Sequence, residues 1–570
     1  MHPAWHQTYD PLGSAPVSTL AAALPLLVLL GLLASHRVRA HVAALAALGA
    51  ALVVATVVFG MPVRLALLST LLGALYGFFP IGWIVIHVIF LYSLTQQRGH
   101  FALLREGITG VTGDRRLQLL LVAFAFGAFF EGAAGFGTPV AITAALLLGL
   151  GFAPLEASAL SLIANTAPVA FGALGTPVIA LQGVTGLDLH ALSAMIGHQL
   201  PVFSLIVPFW LVAAYAGWRG MLEVWPAIFV CAAGFAVPQY LMATLHGPWL
   251  VDVTAAACSL ACTIAFLRLW KPRASAWNAA ADGMPVGERG RAAAGPGADG
   301  GAHAVASEPP SAVIASAVIA SAGHPRRLLA WMPWLALSVV VFAFGLPMVK
   351  AALNGLFAPQ WHVPGLDKGI LRVAPVVAVD VAEPAVLSLN VLSATGTAIL
   401  LAALFSARLL GYSVRETAAC YWNTLRLVRT SLLTISAMMA IGYLSRYAGL
   451  DSVLGLAFAH AGWWYPFFGT MLGWLGVALT GSDTSSNVLF GNLQAVTARQ
   501  VGLDPVLMAA ANSSGGVMGK MIDAQSIVVA STATRFAGEE GRILRYVFFH
   551  SVALAALVGA WVMAQAYLPR

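Results

Sequence analysis

Glu131 and Asp483 are acids set in apolar sequence, and each is followed by an asparagine among small polar residues. Phe130-Glu131-Gly132-Ala133-Ala134-Gly135-Phe136-Gly137-Thr138-Pro139 leads to Asn165-Thr166-Ala167-Pro168, with 34 residues from Glu131 to Asn165. Gly481-Ser482-Asp483-Thr484-Ser485-Ser486-Asn487 leads to Asn512-Ser513-Ser514-Gly515-Gly516, with 29 residues from Asp483 to Asn512. An ionised acid at the centre of a bilayer costs on the order of 3 kcal/mol even on insertion scales. Each acid must therefore be neutralised, paired, or placed in a wet cavity. One chemistry that fits is reversible proton binding as a substrate binds, because burial disfavours the charged form of a carboxyl. The other is a structural hydrogen bond between helices. Glu131 is the first candidate for a proton carrier and Asp483 the second.

The neighbours of the two acids suggest what they serve. Gly132, Gly135, Gly137 and Pro139 break helical backbone and let chain or ligand approach closely. A half-helix starting near Thr138 would aim its positive end at the bilayer midplane, a ready site for a carboxylate. The alternative for these glycines is close helix packing. Asn165 and Thr166 can bond exposed backbone or a hydroxy acid, and so can Ser485, Asn487, Asn512 and Ser513 at the other tip. Lys520 stands in a glycine-broken apolar segment. It could meet a substrate carboxylate, Asp523 three residues on, or Asp483 across the repeat. His87 and His198 are possible proton relays or hydrogen-bonded links between helices. Asp252 falls at an expected outer membrane edge and reads as solvated. Cys258 and Cys262 lie four apart, but no histidine or second cysteine pair completes a metal site. No metal or cofactor is expected.

Elements of a membrane protein must position these residues. Hydrophobic residues make up 60% of the 570 and charged residues 9%, against about 25% charged in soluble proteins. The net charge of +7 comes from Lys and Arg in short loops between apolar runs. That is the look of cytoplasmic loops and not of a nucleic-acid surface. The first apolar run, near 17–34, has no basic segment before it and does not read as a signal peptide.

Placing the Arg-rich loops inside gives an all-α polytopic protein with about twelve transmembrane helices and two re-entrant or broken hairpins. Both termini then lie outside, in the periplasm. The expected divisions are N-terminal helices over 1–116, and a first transport core over 117–271 with a hairpin at 117–152. A flexible cytoplasmic linker follows over 272–327, then helices over 328–460, and a second core over 461–570 with a hairpin at 461–500. Expected spans include broken ones at 155–180 and 505–534 and others at 385–406, 430–448 and 545–567. The charge rule makes the first hairpin dip from inside and the second from outside. Matching broken motifs in opposite orientation are the mark of secondary transporters built as inverted repeats.

The motif strings resemble the signature of the bacterial L-lactate permease family. The resemblance runs through the Glu131 string to Thr143, Asn165-Thr166-Ala167-Pro168-Val169-Ala170-Phe171-Gly172, and Leu479-Thr480-Gly481-Ser482-Asp483-Thr484-Ser485. It ends with Gly515-Gly516-Val517-Met518-Gly519-Lys520-Met521-Ile522 and Gln525-Ser526. It is weakest over 272–327. It implies proton-coupled uptake of L-lactate, often with D-lactate and glycolate, across the bacterial inner membrane, and by analogy an elevator-like motion. Partners would be a small monocarboxylate, protons and the bilayer, with a possible homo-oligomer.

A 2-hydroxy acid offers one carboxylate and one hydroxyl, and the half-helix ends with Asn165, Thr166, Ser485, Asn512 and Ser513 supply groups for both. Sodium coupling through the 483–487 turn, or another small carboxylate, is the alternative. An intramembrane aspartyl protease needs two facing aspartates, which the sequence does not supply. A passive channel would not be driven uphill by protons.

Overall fold

A computed structural model describes residues 4–34, 38–99, 111–133, 135, 138–272, 324–377, 379–536 and 538–568. The expected linker over 272–327 lies almost wholly outside them, and so does Gly137. The protein is mostly helical. Nine helices among the described residues are long and apolar enough to cross a membrane, which makes this a multi-pass membrane protein. Shorter apolar helices occur at Pro139–Gly149, Pro154–Ala164, Ala173–Thr185 and Thr395–Leu409.

Two hairpins hold the centre. In the first, Arg115–Ala133 descends and Thr138–Gly149 returns. The descending arm includes a π-helical stretch, Leu120–Phe126, and is enclosed by protein along its length. At 19 residues this arm is long enough to cross a membrane by itself. In the second hairpin Tyr465–Thr480 descends and Asp483–Gln500 returns. Its turn is tight because Gly481 takes the left-handed conformation, φ 72°, which glycine adopts without strain. Ser482 then caps the returning helix by accepting from the Ser485 N–H at 3.3 Å, as N-cap serines do.

A broken helix follows each hairpin. The expected span at 155–180 is two short helices, Pro154–Ala164 and Thr176–Thr185, joined by non-helical chain and a 3-10 turn at Ala173–Gly175. The second is Pro505–Gly519, a 3-10 turn Lys520–Ile522, and Ala524–Ala533. Asp504 and Asp523 cap its two pieces, accepting from Val506 N at 2.9 Å and Ser526 N at 2.8 Å. The pieces interlock across the molecule. Thr138–Gly149 of the first hairpin packs on Ala524–Ala533, and Asp483–Gln500 of the second packs on Thr176–Thr185.

Around this centre the structure departs from expectation in several places. The helix expected at 430–448 is 35 residues long, Val414–Ala448, started by a capping box of Ser413 and Glu416. The polar Arg415–Arg429 stretch that read as loop forms its first turns. The helix expected from 385 begins at Thr395. The chain before it pairs as strand instead, so the fold is not purely α. Trp5–His6 runs parallel to Ile370–Leu371, which pairs in turn with Val381–Ala382. Gln360–His362 pairs with Val386–Ser388. These strands cover one end of the long helix. Gln7 donates from Nε2 to the Arg446 and Tyr447 carbonyls, both at 2.9 Å. Glu383 pairs with Arg446 at 3.0 Å and also with Arg372.

Candidate functional site

The two hairpin turns and the two helix breaks converge on one cavity of about 310 Å3. Glu131 and Gly135 reach it from the first hairpin, and Ser482, Asp483 and Ser485 from the second. Thr176 opens one half-helix on its wall, and Lys520 stands in the break of the other. The long helix Val414–Ala448 closes the opposite side with Thr430, Ser431 and Thr434.

Glu131 is 5% exposed and, among the described residues, receives one hydrogen bond, from Asn165 Nδ2 at 3.2 Å. Asn165, expected to bond exposed backbone or a hydroxy acid, instead bonds the hairpin acid. Asp483 is more fully held. Its Oδ2 accepts from Ser513 Oγ at 2.5 Å and from Asn487 Nδ2 at 3.1 Å. Asn487 also reaches the Pro177 carbonyl at 3.3 Å, which ties the second hairpin to the first half of the chain. Asn512 donates to Asn487 Oδ1 at 2.9 Å, and Gln494 donates to Asn512 Oδ1 at 3.3 Å. Asn165, Asn487, Asn512 and Ser513 therefore form a layer behind the cavity wall. They orient the two acids and do not line the cavity.

Thr166 does not face the cavity: just past the end of Pro154–Ala164, it spends its hydroxyl on the Ile163 carbonyl at 2.9 Å. Gly137 lies outside the described residues. Thr138 begins its helix as expected. Lys520 takes the nearest of its three expected partners. It pairs with Asp523 at 3.0 Å and donates to the Gly481 carbonyl at 2.6 Å. It still lines the cavity, so its charge faces the space while its Coulomb partner sits behind.

Asp252 corrects the expectation of a solvated edge. It is 2% exposed, and neither of its oxygens has a hydrogen-bond partner among the described residues. The first hairpin lies against it: a Cβ at Gly132 would come 2.7 Å from the Asp252 Cβ and 2.9 Å from the Val253 nitrogen. Gly132 is there for that close approach, the packing alternative for this glycine. The same holds where Tyr465–Thr480 crosses Pro505–Gly519. A Cβ on Gly473, Gly515 or Gly519 would run into the facing backbone of Asn512, Thr470 or Trp474. His87 is buried against Tyr421, with Nε2 to the hydroxyl at 3.2 Å. His198 bonds the carbonyl of Ala194 in its own helix. Neither histidine lines the cavity.

Reading the sequence for motifs missed the far wall. His41, Thr430, Ser431, Thr434 and Gln525 all line the cavity. Thr430, Ser431 and Thr434 fall at helical spacing in otherwise apolar sequence, a signal that was present. It was hidden by Arg426 and Arg429, which made that stretch read as a membrane edge.

The arrangement can do one kind of chemistry well. Two acids that can each take a proton share one cavity with a lysine, the capped N-terminus of Asp483–Gln500 and a row of hydroxyls. Such a space suits a small organic anion that enters with a proton. No group of three or more potential ligands for a metal ion is found among the described residues.

Comparison with known proteins agrees with the motif resemblance. The sequence profile of the L-lactate permease family matches residues 18–569. The glycolate permease GlcA of Escherichia coli (strain K12) is 41% identical over 573 residues, covering 99% of this chain and 98% of that one. The L-lactate permease of Escherichia coli (strain K12) is 42% identical over 571 residues, with the same coverage. That of Bacillus subtilis (strain 168) is 42% identical over 574 residues, covering 97% of each chain. Among solved structures, the Neisseria gonorrhoeae efflux pump MtrF covers 87% of this chain and 83% of its own at 13% identity. Its TM-score is 0.43, a likeness too slight to carry a fold assignment. With a matching profile over nearly its whole length and relatives above 40% identity, the chain belongs to the L-lactate permease family.

Proposed function

We propose that this protein carries lactate or glycolate, together with a proton, into the cell across a bacterial inner membrane. The observation that carries the reading is the meeting of Glu131 and Asp483, from separate halves of the chain, in the wall of one cavity. The names of its relatives point to small 2-hydroxy monocarboxylates. A carboxylate entering with one proton moves no net charge, so a single protonatable acid suffices as carrier. Glu131 is that carrier, because it faces the cavity with a single hydrogen bond among the described residues, from Asn165. Asp483, with two side-chain donors of its own, orders the second tip.

The expected topology of about twelve crossings in an inverted repeat, with both termini in the periplasm, belongs to the same proposal. The interlocked hairpins and half-helices support it, since each hairpin's returning arm packs on the other repeat's second half-helix. In that scheme the hairpins and half-helices move as one body past the long helix Val414–Ala448. Sodium at the 483–487 turn is the second reading. It is favoured by Asp483 Oδ1, which has no hydrogen-bond partner among the described residues.

Uptake of labelled L-lactate into proteoliposomes separates these readings. Wild type should concentrate lactate on an inward proton gradient without sodium, and Glu131→Gln should lose that proton-driven accumulation. Accumulation that survives in Glu131→Gln moves the proton role to Asp483. Accumulation that requires sodium replaces proton coupling altogether.

A further inference from the structure

The cavity has two chemically different walls. The hairpin wall presents Glu131, Asp483, Lys520 and the capped N-terminus at Ser482. The long-helix wall presents the neutral hydroxyls Thr430, Ser431 and Thr434 beside the apolar Ile435, and His41 lines the cavity from the adjoining helix Ala40–Val53. Residues 430, 431 and 434 share a face of Val414–Ala448, since positions three and four apart stack along a helix. Thr434 donates to the Thr430 carbonyl at 2.9 Å, which leaves its lone pairs facing out. The Thr430 and Ser431 hydroxyls make no hydrogen bond to another described residue, and both side chains are exposed where they border the cavity. Nothing in the packing of the long helix uses them.

We infer that Thr430, Ser431 and Thr434 are the specificity-determining residues that read the substrate's 2-hydroxyl. The inference rests on the proposed transport of small 2-hydroxy acids. A carboxylate needs positive charge or convergent N–H groups, and the hairpin wall offers both in Lys520 and the N-terminus of Asp483–Gln500. With its charged end docked there, the acid turns its C2 substituents toward the opposite wall. A hydroxyl can donate and accept at once, so it complements both another hydroxyl and a water, while a bare methylene complements neither. A site that bonds a substrate hydroxyl discriminates against the analogue lacking it, because the site's own polar groups are left without a partner. The two walls also belong to different bodies in the proposed motion. The carboxylate then travels with the hairpins, and the hydroxyl contact is made with the long helix and broken as they pass it.

The test compares L-lactate with propionate, the same acid without the hydroxyl, in proteoliposomes of the full chain. Labelled L-lactate uptake is measured with unlabelled lactate or propionate as competitor. The double variant Thr430→Val, Ser431→Ala should weaken lactate competition about tenfold, the size of one lost hydrogen bond, with propionate competition unchanged. Thr430→Ser, which keeps the hydroxyl, should retain wild-type selectivity and so controls for damage to the helix. Equal weakening for both acids, or no change for either, overturns the assignment while lactate transport by wild type still stands. Failure of wild type to take up lactate overturns the transport reading and this one together.

Discussion

At the scale of single residues, the site is an exercise in giving buried acids enough donors and no more. Asp483 has Ser513 at 2.5 Å and Asn487 at 3.1 Å, while Glu131 has Asn165 alone among the described residues. Removing Ser513 takes a donor from a buried acceptor, which costs about 1–3 kcal/mol. Ser513→Ala should therefore lower the melting temperature of the detergent-purified protein, and the loss should shrink in an Asp483→Asn background. A double-mutant cycle with no coupling would mean that the short hydrogen bond contributes nothing. Gly132 makes the opposite point. Its hydrogen faces the Asp252 side chain at a distance where no Cβ fits, so Gly132→Ala should destabilise by about 1–3 kcal/mol, as overpacking does. A thermal midpoint equal to wild type would show that the hairpin can slide off Asp252 freely.

At the scale of elements, the sequence was most readable where a break and a polar residue coincide. The two hairpins and the two broken helices follow from glycine, proline and amide residues interrupting apolar runs. What could not be read were distances between segments far apart in the chain. The Asn487 bond to Pro177 and the burial of Asp252 under the first hairpin depend on tertiary packing that no local pattern encodes. The length of Val414–Ala448 was missed for another reason. Arg415, Arg426 and Arg429 read as loop charges, yet a capping box and the absence of helix breakers carry the helix straight through them. Long Arg side chains allow this by extending away from the helix. The crossing of Tyr465–Thr480 over Pro505–Gly519 is the tightest test of element packing. Gly473→Ala would push a methyl into the Asn512 backbone. It should cost about 1–3 kcal/mol in thermal unfolding and displace Asn512 from Asn487. Retained stability with retained uptake would show that the two helices need not touch there.

At the scale of the whole molecule, the strands over one end of the long helix act as a clasp between bodies. Arg446 binds Glu383 of the strand region and donates to the Val184 carbonyl at 3.2 Å, at the end of the half-helix Thr176–Thr185. A partly buried charge with two such partners is costly to remove from one side. If the half-helix moves during transport, this clasp must open. Arg446→Gln should then raise the rate at which a membrane-impermeant maleimide, added from the side the strands cover, labels a cysteine placed at Thr176. An unchanged labelling rate would show that the clasp does not hold the site closed.

The interlocking of the two hairpins with the opposite half-helices also sets a schedule for making the protein. Thr176–Thr185 leaves the ribosome long before Asp483–Gln500, the arm that covers it. At typical synthesis rates the wait is on the order of tens of seconds. Through that interval Glu131, Asn165 and the broken backbone near them sit in a nascent chain with half of their partners not yet made. Membrane insertion and chaperoning must tolerate this unfinished state, and the site exists only once the last hundred residues have arrived.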